Sequence, residues 1–213
     1  MRDARAALIE EIEKNFPDYG NLIDPKPLTI EQTRAVLRPS ETLVSIYVGE
    51  KRAYVWAIPK HGVVAFSVAE LGEKPLSETV SLLRTALEPN VTTLGDIPDF
   101  DVAIAYELYE KLLKPVESGW QDSNSLLFVS HGPLSQMPLS LLPTELVKLS
   151  SDNILLFANY RDIPWLARTH AITVLPSVAS LKALKGTTGA AGERRPFAGF
   201  GDPFFSKSHQ LAA

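Results

Sequence analysis

Leu126-Leu-Phe-Val129 is an unbroken apolar run, closed off at once by Ser130-His131-Gly132-Pro133. With a β-branched and an aromatic member, it fits a strand buried in a parallel or mixed sheet. A half-exposed strand would alternate instead. Gly132 admits φ > 0 and Pro133 has no N–H for a ladder, so the strand must end in a sharp loop. Beyond Pro138, Leu139, Leu141 and Leu142 supply an apolar edge for a short helical turn. A strand, a loop at its carboxyl end and a helix start mark the place where open α/β sheets hold their sites. Ser130 and His131 are therefore the first candidates for catalysis.

The 213 residues suit one large domain, or a domain with an appendage. A chain of this length buries roughly 70% of the surface its unfolded form exposes, so no disulfide or metal staple is required. Its 45% hydrophobic and 22% charged residues are ordinary for a globular protein. The absence of cysteine excludes a disulfide framework, a zinc–thiolate site and a thiol nucleophile. A net charge of −4 gives no reason to expect nucleic acid, which needs a concentrated basic surface. No apolar run approaches the ~20 residues of a spanning helix. Glu10, Glu11 and Glu13 stand where a signal peptide would be apolar. The expectation is a cytoplasmic protein without membrane contact.

From the N-terminus, Ala6, Leu8, Ile9, Ile12 and Phe16 recur at helical spacing among charges over Arg2 to Phe16, and Pro17 ends the segment. Asn21 to Leu28, with two prolines, reads as an extended linker. Thr29 with Gln32 three residues on is a capping box, predicting a helix with Ile30, Val36 and Leu37 facing inward, closed by Pro39. Thr42–Val48, Ala53–Ile58 and Gly62–Val68 are rich in β-branched and aromatic residues. Their short connections predict an antiparallel meander packed against the first helices. Helices are predicted over Pro75–Leu87 and Asp101–Leu113. A short connector helix is predicted over Tyr160–Arg168, a strand over Ala171–Leu175, and a helix capped by Ser177 and ending at Leu184. Gly186 to Arg195 is small and flexible in composition, and Phe197–Gly201 resumes as a strand. Helices alternating with strands after residue 75 give the fold class as α/β, a mixed sheet flanked by helices with a β-meander near its start.

Each candidate residue also has an ordinary structural role. Adjacent strand residues point to opposite faces, so Ser130 and His131 do not form a nucleophile–base unit. Phe128 occupies a position where a nucleophile elbow needs a small residue, and Pro133 stiffens the turn where it needs flexibility. His131 is read as a hydrogen-bonding or partner-contact residue, and His61 as a solvated turn residue. The four histidines (His61, His131, His170, His209) lack metal-ligand spacing. Asp96, Asp99 and Asp101 crowd one loop, but their spacing misses a calcium-binding loop, and solvation and helix capping explain them better. Gly199-Phe-Gly201 lacks the third glycine of a dinucleotide loop.

Five segments in order nevertheless resemble one family. They are Phe16-Pro17 through Leu37-Arg-Pro-Ser-Glu41, the meander with Tyr54-Val-Trp56, Tyr109-Glu-Lys-Leu-Leu-Lys-Pro115, Leu126 to Leu142, and Ile172-Thr-Val-Leu-Pro-Ser177 with Gly201-Asp-Pro203. Together they resemble the N-terminal half of a CHAT domain, the caspase-like family associated with tetratricopeptide repeats. The resemblance implies a caspase-like sheet in an incomplete domain. Residues 1–40 would be N-terminal helices and linker, and residues 41–213 the pseudo-caspase-like half. It also implies that the His and Cys of a cysteine endopeptidase lie after the Gly-Asp-Pro segment, beyond this sequence. His131-Gly132 mimics the His-Gly motif but belongs to the earlier segment. No residue here then takes a catalytic, cofactor-binding or metal-ligating role, and no cofactor is expected. The expected partners are the catalytic half, and an upstream repeat region or activating protein. An exposed Phe197–Gly201 edge would also favour self-association. The alternative is a non-catalytic interaction scaffold from a degenerate member.

Overall fold

A computed structural model describes residues 28–149 and 157–186. Thr29 opens the first described helix, α1 (Ile30–Val36), with a complete capping box. Its hydroxyl accepts from Gln32 N at 3.2 Å, and Gln32 Oε1 accepts from Thr29 N at 2.9 Å. Pro39 stops the chain from continuing as helix, and β1 (Glu41–Val48) begins two residues later. The turn after β1 closes with Gly49 N donating to Arg52 O at 2.8 Å, sending β2 (Ala53–Pro59) back along it. After a wider turn with Gly62 at φ 97, β3 (Ala65–Ala69) completes the antiparallel meander. It starts three residues later than the pattern of Gly62–Val68 predicts, because that left-handed turn consumes the first of them.

α2 (Glu73–Leu87) and α3 (Val102–Leu112) follow, and then β4 (Ser125–Ser130) inserts beside β1 in parallel. β5 (Ala171–Leu175) adds parallel to β4, and α4 (Val178–Gly186) closes the described chain, with Ser180 N donating to Ser177 Oγ at 3.1 Å. The result is a mixed five-stranded sheet in the order β3-β2-β1-β4-β5, an α/β fold. The run Leu126–Val129 is buried throughout, as its lack of alternation requires.

The sheet separates two cores. On one face Val44, Ile46, Val55, Leu126 and Phe128 meet Leu76, Val80 and Leu83 of α2, Leu108 and Leu112 of α3, and Leu134, Leu139 and Leu142 from the loop after β4. On the other, Leu43, Ile58, Leu127 and Val129 meet Leu37, Leu175 and Leu181, with α1 and α4 as cover. α1 is pinned there by polar contacts, Arg34 Nε donating to Pro59 O at 3.1 Å and Lys60 Nζ to Arg34 O at 2.7 Å.

Two expectations are corrected. Ile30 is exposed rather than inward, since a helix of seven residues lays only its C-terminal side, Thr33 to Leu37, against the sheet. Tyr160–Arg168 is not a helix but a pair of 3₁₀ turns, Ala158–Tyr160 and Leu166–Arg168. Pro164 lacks the N–H a helix interior would use, and Trp165 instead bridges to Pro143. The predicted N-terminal helix Arg2–Phe16, the flexible stretch after Gly186 and the strand Phe197–Gly201 lie outside the described residues.

Candidate functional site

The loop at the carboxyl end of β4 is the natural place to look, and its geometry follows from a few residues. Ser130 pairs across the sheet with Ile46 and is 7% exposed, closed beneath the loop that follows. His131 stays extended and exposed, and Gly132 takes φ 63, a conformation costly for any residue with a Cβ. The chain then winds into a 3₁₀ turn, Gly132–Gln136, in which Ser135 Oγ donates to Gly132 O at 2.7 Å. Pro133 and Leu134 drop into the core, and Met137 and Leu139 follow them. Arg84 of α2 clasps the loop, donating to Gln136 Oε1 at 2.7 Å while it pairs with Glu88.

This arrangement does not assemble a nucleophile and base. A nucleophilic serine must be open to substrate and within about 2.6–3.2 Å of its base. Ser130 is buried and no hydrogen bond joins it to His131. The shallow groove beside the loop, lined by Ser81, Arg84, Thr85 and Glu88, has its cation already matched by Glu88.

The other candidates are scattered. His61 sits exposed at the β2–β3 turn, by the start of β1. His170 precedes β5, at the opposite end of the parallel strands from His131. His209 lies outside the described residues. His170 is a packing residue: its ring meets Trp120 edge-on at 5.1 Å, and Nδ1 is 2.8 Å from Thr169 Oγ1. Burial holds its pKa below the usual imidazole value, with the nearby Gln121 backbone acting more weakly in the other direction. The aspartates also separate by role. Asp101 Oδ1 accepts from Ile104 N at 3.0 Å as the cap of α3, Asp96 accepts from Thr93 Oγ1 at 2.6 Å, and Asp99 from Tyr160 Oη at 3.1 Å. No group of three or more His, Asp or Glu side chains converges to hold a metal among the described residues. Tyr109 is the strongest perturbation: burial pushes its phenol far up, reinforced by Glu117, whose Oε1 accepts from it at 3.3 Å. It is buried and packs edge-on against Trp120, so the shift reflects core structure.

Sequence reasoning missed a surface. Tyr47, Tyr54, Trp56 and Phe66 form a continuous row of rings on the face of the sheet that α1 and α4 leave partly open. The signal was the two-residue spacing of Tyr54 and Trp56, which puts both on one side of β2.

No protein-family model matches the sequence, and no curated protein matches it. A solved structure titled "Alp12 filament structure" is similar at 17% identity with a TM-score of 0.26. The match covers 46% of this chain and 38% of that one, so this chain spans well under half of that protein's length. A likeness this slight fixes neither fold nor function. Among the described residues no helix is long and apolar enough to cross a membrane.

Proposed function

We propose that this chain is the N-terminal, non-catalytic half of a CHAT-like, caspase-clan cysteine endopeptidase, a framework for a His/Cys site carried beyond this sequence. The observation that carries the reading is the state of the β4 loop. The position where an α/β sheet would expose its reactive groups instead holds a buried Ser130, an exposed and separate His131, and a loop locked down by Pro133, Leu134 and Arg84. A chain without cysteine has no thiol to offer in its place. β5 ends the sheet among the described residues, and its outer edge offers unpaired backbone to a further strand. The natural partner for that edge is the catalytic half, in a cytoplasmic protein.

Peptide hydrolysis tests the framework reading. The chain should neither turn over peptide substrates nor react with thiol-directed inhibitors, and turnover abolished by Ser130→Ala or His131→Ala would overturn it. Reading the coding sequence that follows Ala213 separates the two classes of parent. A His-Gly and then a Cys about fifty residues on would make the parent a protease. Their absence would make it a scaffold.

A further inference from the structure

Among the described residues, Ser67 Oγ, Arg84 Nε and His170 Nε2 are buried without a hydrogen-bond partner, and of these only the imidazole changes charge near neutral pH. Its neighbours fix where the neutral ring carries its proton. Thr169 Oγ1 donates to Leu166 O at 3.3 Å, so toward His170 Nδ1, 2.8 Å away, it accepts. The proton therefore sits on Nδ1, and Nε2 is a bare lone pair. His170 also stands at a junction. Its N–H closes the Leu166–Arg168 turn by donating to Leu166 O at 3.1 Å, and Ala171 N opens β5 by donating to Asn124 O at 2.9 Å. Trp120, which the imidazole meets edge-on at 5.1 Å, belongs to the connection into β4 and is tied down by its Nε1 donating to Leu113 O at 3.1 Å. The imidazole–indole contact thus joins the chain entering β5 to the chain entering β4.

We propose that His170 is a proton-operated latch: its neutral ring holds the start of β5 against Trp120, and a second proton expels the ring and lets residues 169–172 open locally while the rest of the sheet stays folded. A proton on Nε2 would create an N–H with no acceptor, in a place closed to water. Among the described residues no charged side chain offsets it. The elements about the ring carry Lys114, Glu117, Asp122 and Arg168, while β4 and β5 carry none. Glu117 accepts from Tyr109, Lys114 lies over the Tyr106 ring beside Glu110, and Arg168 donates to Arg161 O. What acts on the imidazole is burial and, more weakly, the Gln121 backbone. The opening is local because Leu166 and Leu175, on either side, stay buried in the cores. Between them the corner holds on through partly buried Ile172 and the His170 contact. The latch works alike whether the parent is a protease or a scaffold.

Amide hydrogen exchange of the intact chain between pH 7.5 and pH 5 tests the latch. The closed corner resists the proton that the open corner accepts at the ordinary value near 6.5. Opening is therefore flat above that pH and rises below it, by at most about tenfold per pH unit for one proton. Protection factors of the His170 and Ala171 amides should fall several-fold by pH 5, while those of β4 hold. His170→Phe keeps a ring against Trp120 without the titrating nitrogen, and it should leave the Ala171 profile flat. In the wild type, which needs no variant, the Trp120 indole N–H resonance should move with the midpoint at which the His170 ring protons titrate. A fall in protection that persists in His170→Phe would overturn the proposal. So would a fall shared by β4, which would make the transition global, or a His170 titration that leaves the Trp120 indole unmoved.

Discussion

The two faces of the sheet are built from the same strands yet differ in how they are finished. The face bearing Phe128 is sealed over β1 to β4 by α2, α3 and the loop after β4, and opens only at its β5 edge, where Val174 is exposed. Among the described residues the face bearing Val129 is sealed over Leu127, Val129, Leu175 and the lower half of the meander, and its upper half carries rings in contact with solvent. Alternation along each strand distributes side chains to both faces equally. What differs is cover. Global stability therefore resides on the Phe128 face, while the freedom to recruit another element resides on the Val129 face.

The largest effect that would break this comparison comes from deleting matched rings. Phe128 is fully buried in the sealed cluster, and Phe128→Ala should cost about 3–5 kcal/mol. Phe66→Ala removes a ring that is half exposed and should cost about 1 kcal/mol or less, the scale of a cross-strand pair. Urea unfolding of both variants measures the contrast, and equal losses would mean the open face carries as much stability as the sealed one. Next in size is Gly119→Ala. A Cβ there would lie 2.9 Å from Ala57 Cβ and 3.0 Å from Ala65 Cβ, where the Lys114–Gly119 turn presses on the meander. Overpacking of this kind costs about 1–3 kcal/mol. A neutral Gly119→Ala would show that the sealed face has slack.

The sequence made the sealed face legible and the open one obscure. Leu126–Val129, the stripes of α2 and α3, and the caps Thr29, Asp101 and Ser177 are local signals, each set by residues within a few positions of one another. The meander was also readable, because its turns are short. The 3₁₀ turns around Trp165 were not, since their shape depends on a bridge to Pro143 twenty-two positions earlier. Nor was the row of rings. Its four members come from three strands, and only register brings Tyr47 beside Tyr54 and Trp56 beside Phe66. At the β4 loop the sequence located the turn and separated Ser130 from His131 through strand alternation. The return of Leu134 and Leu139 into the core beside Leu126 and Phe128 is a non-local packing event, which no local pattern encodes.

Helix caps sharpen the comparison at smaller scale. Asp101 caps α3 on the sealed face, and Asp101→Ala should cost about 1 kcal/mol of global stability. Thr29 makes the fuller cap, yet it serves a seven-residue helix at the border of the open face. Thr29→Ala should mostly let that helix fray locally, lowering amide protection in residues 30–36 with little change in the urea midpoint. Hydrogen exchange and urea unfolding together read the difference. A larger midpoint shift from Thr29→Ala than from Asp101→Ala would reverse the ranking of the two faces.

The smallest effect is a pH dependence at the rim of the sealed face. His170 stacks edge-on against Trp120, and its Nε2 is buried without a hydrogen-bond partner, so a proton there would be poorly accommodated. Burial accordingly sets its pKa in the folded protein below the ordinary value near 6.5. The unfolded chain, with the ordinary value, then binds the proton more readily. Stability is fully present above about pH 6.5, and it is lost as pH falls from there toward the folded value, below which the loss levels off. His170→Phe keeps an aromatic ring against Trp120 and removes the titrating group. The difference in urea midpoint between wild type and His170→Phe should thus shift in favour of the variant between pH 7.5 and pH 5. A difference that stays constant across that range would show that the ring is free to take its proton in the folded state, and that this rim of the sealed face is more open than its packing implies.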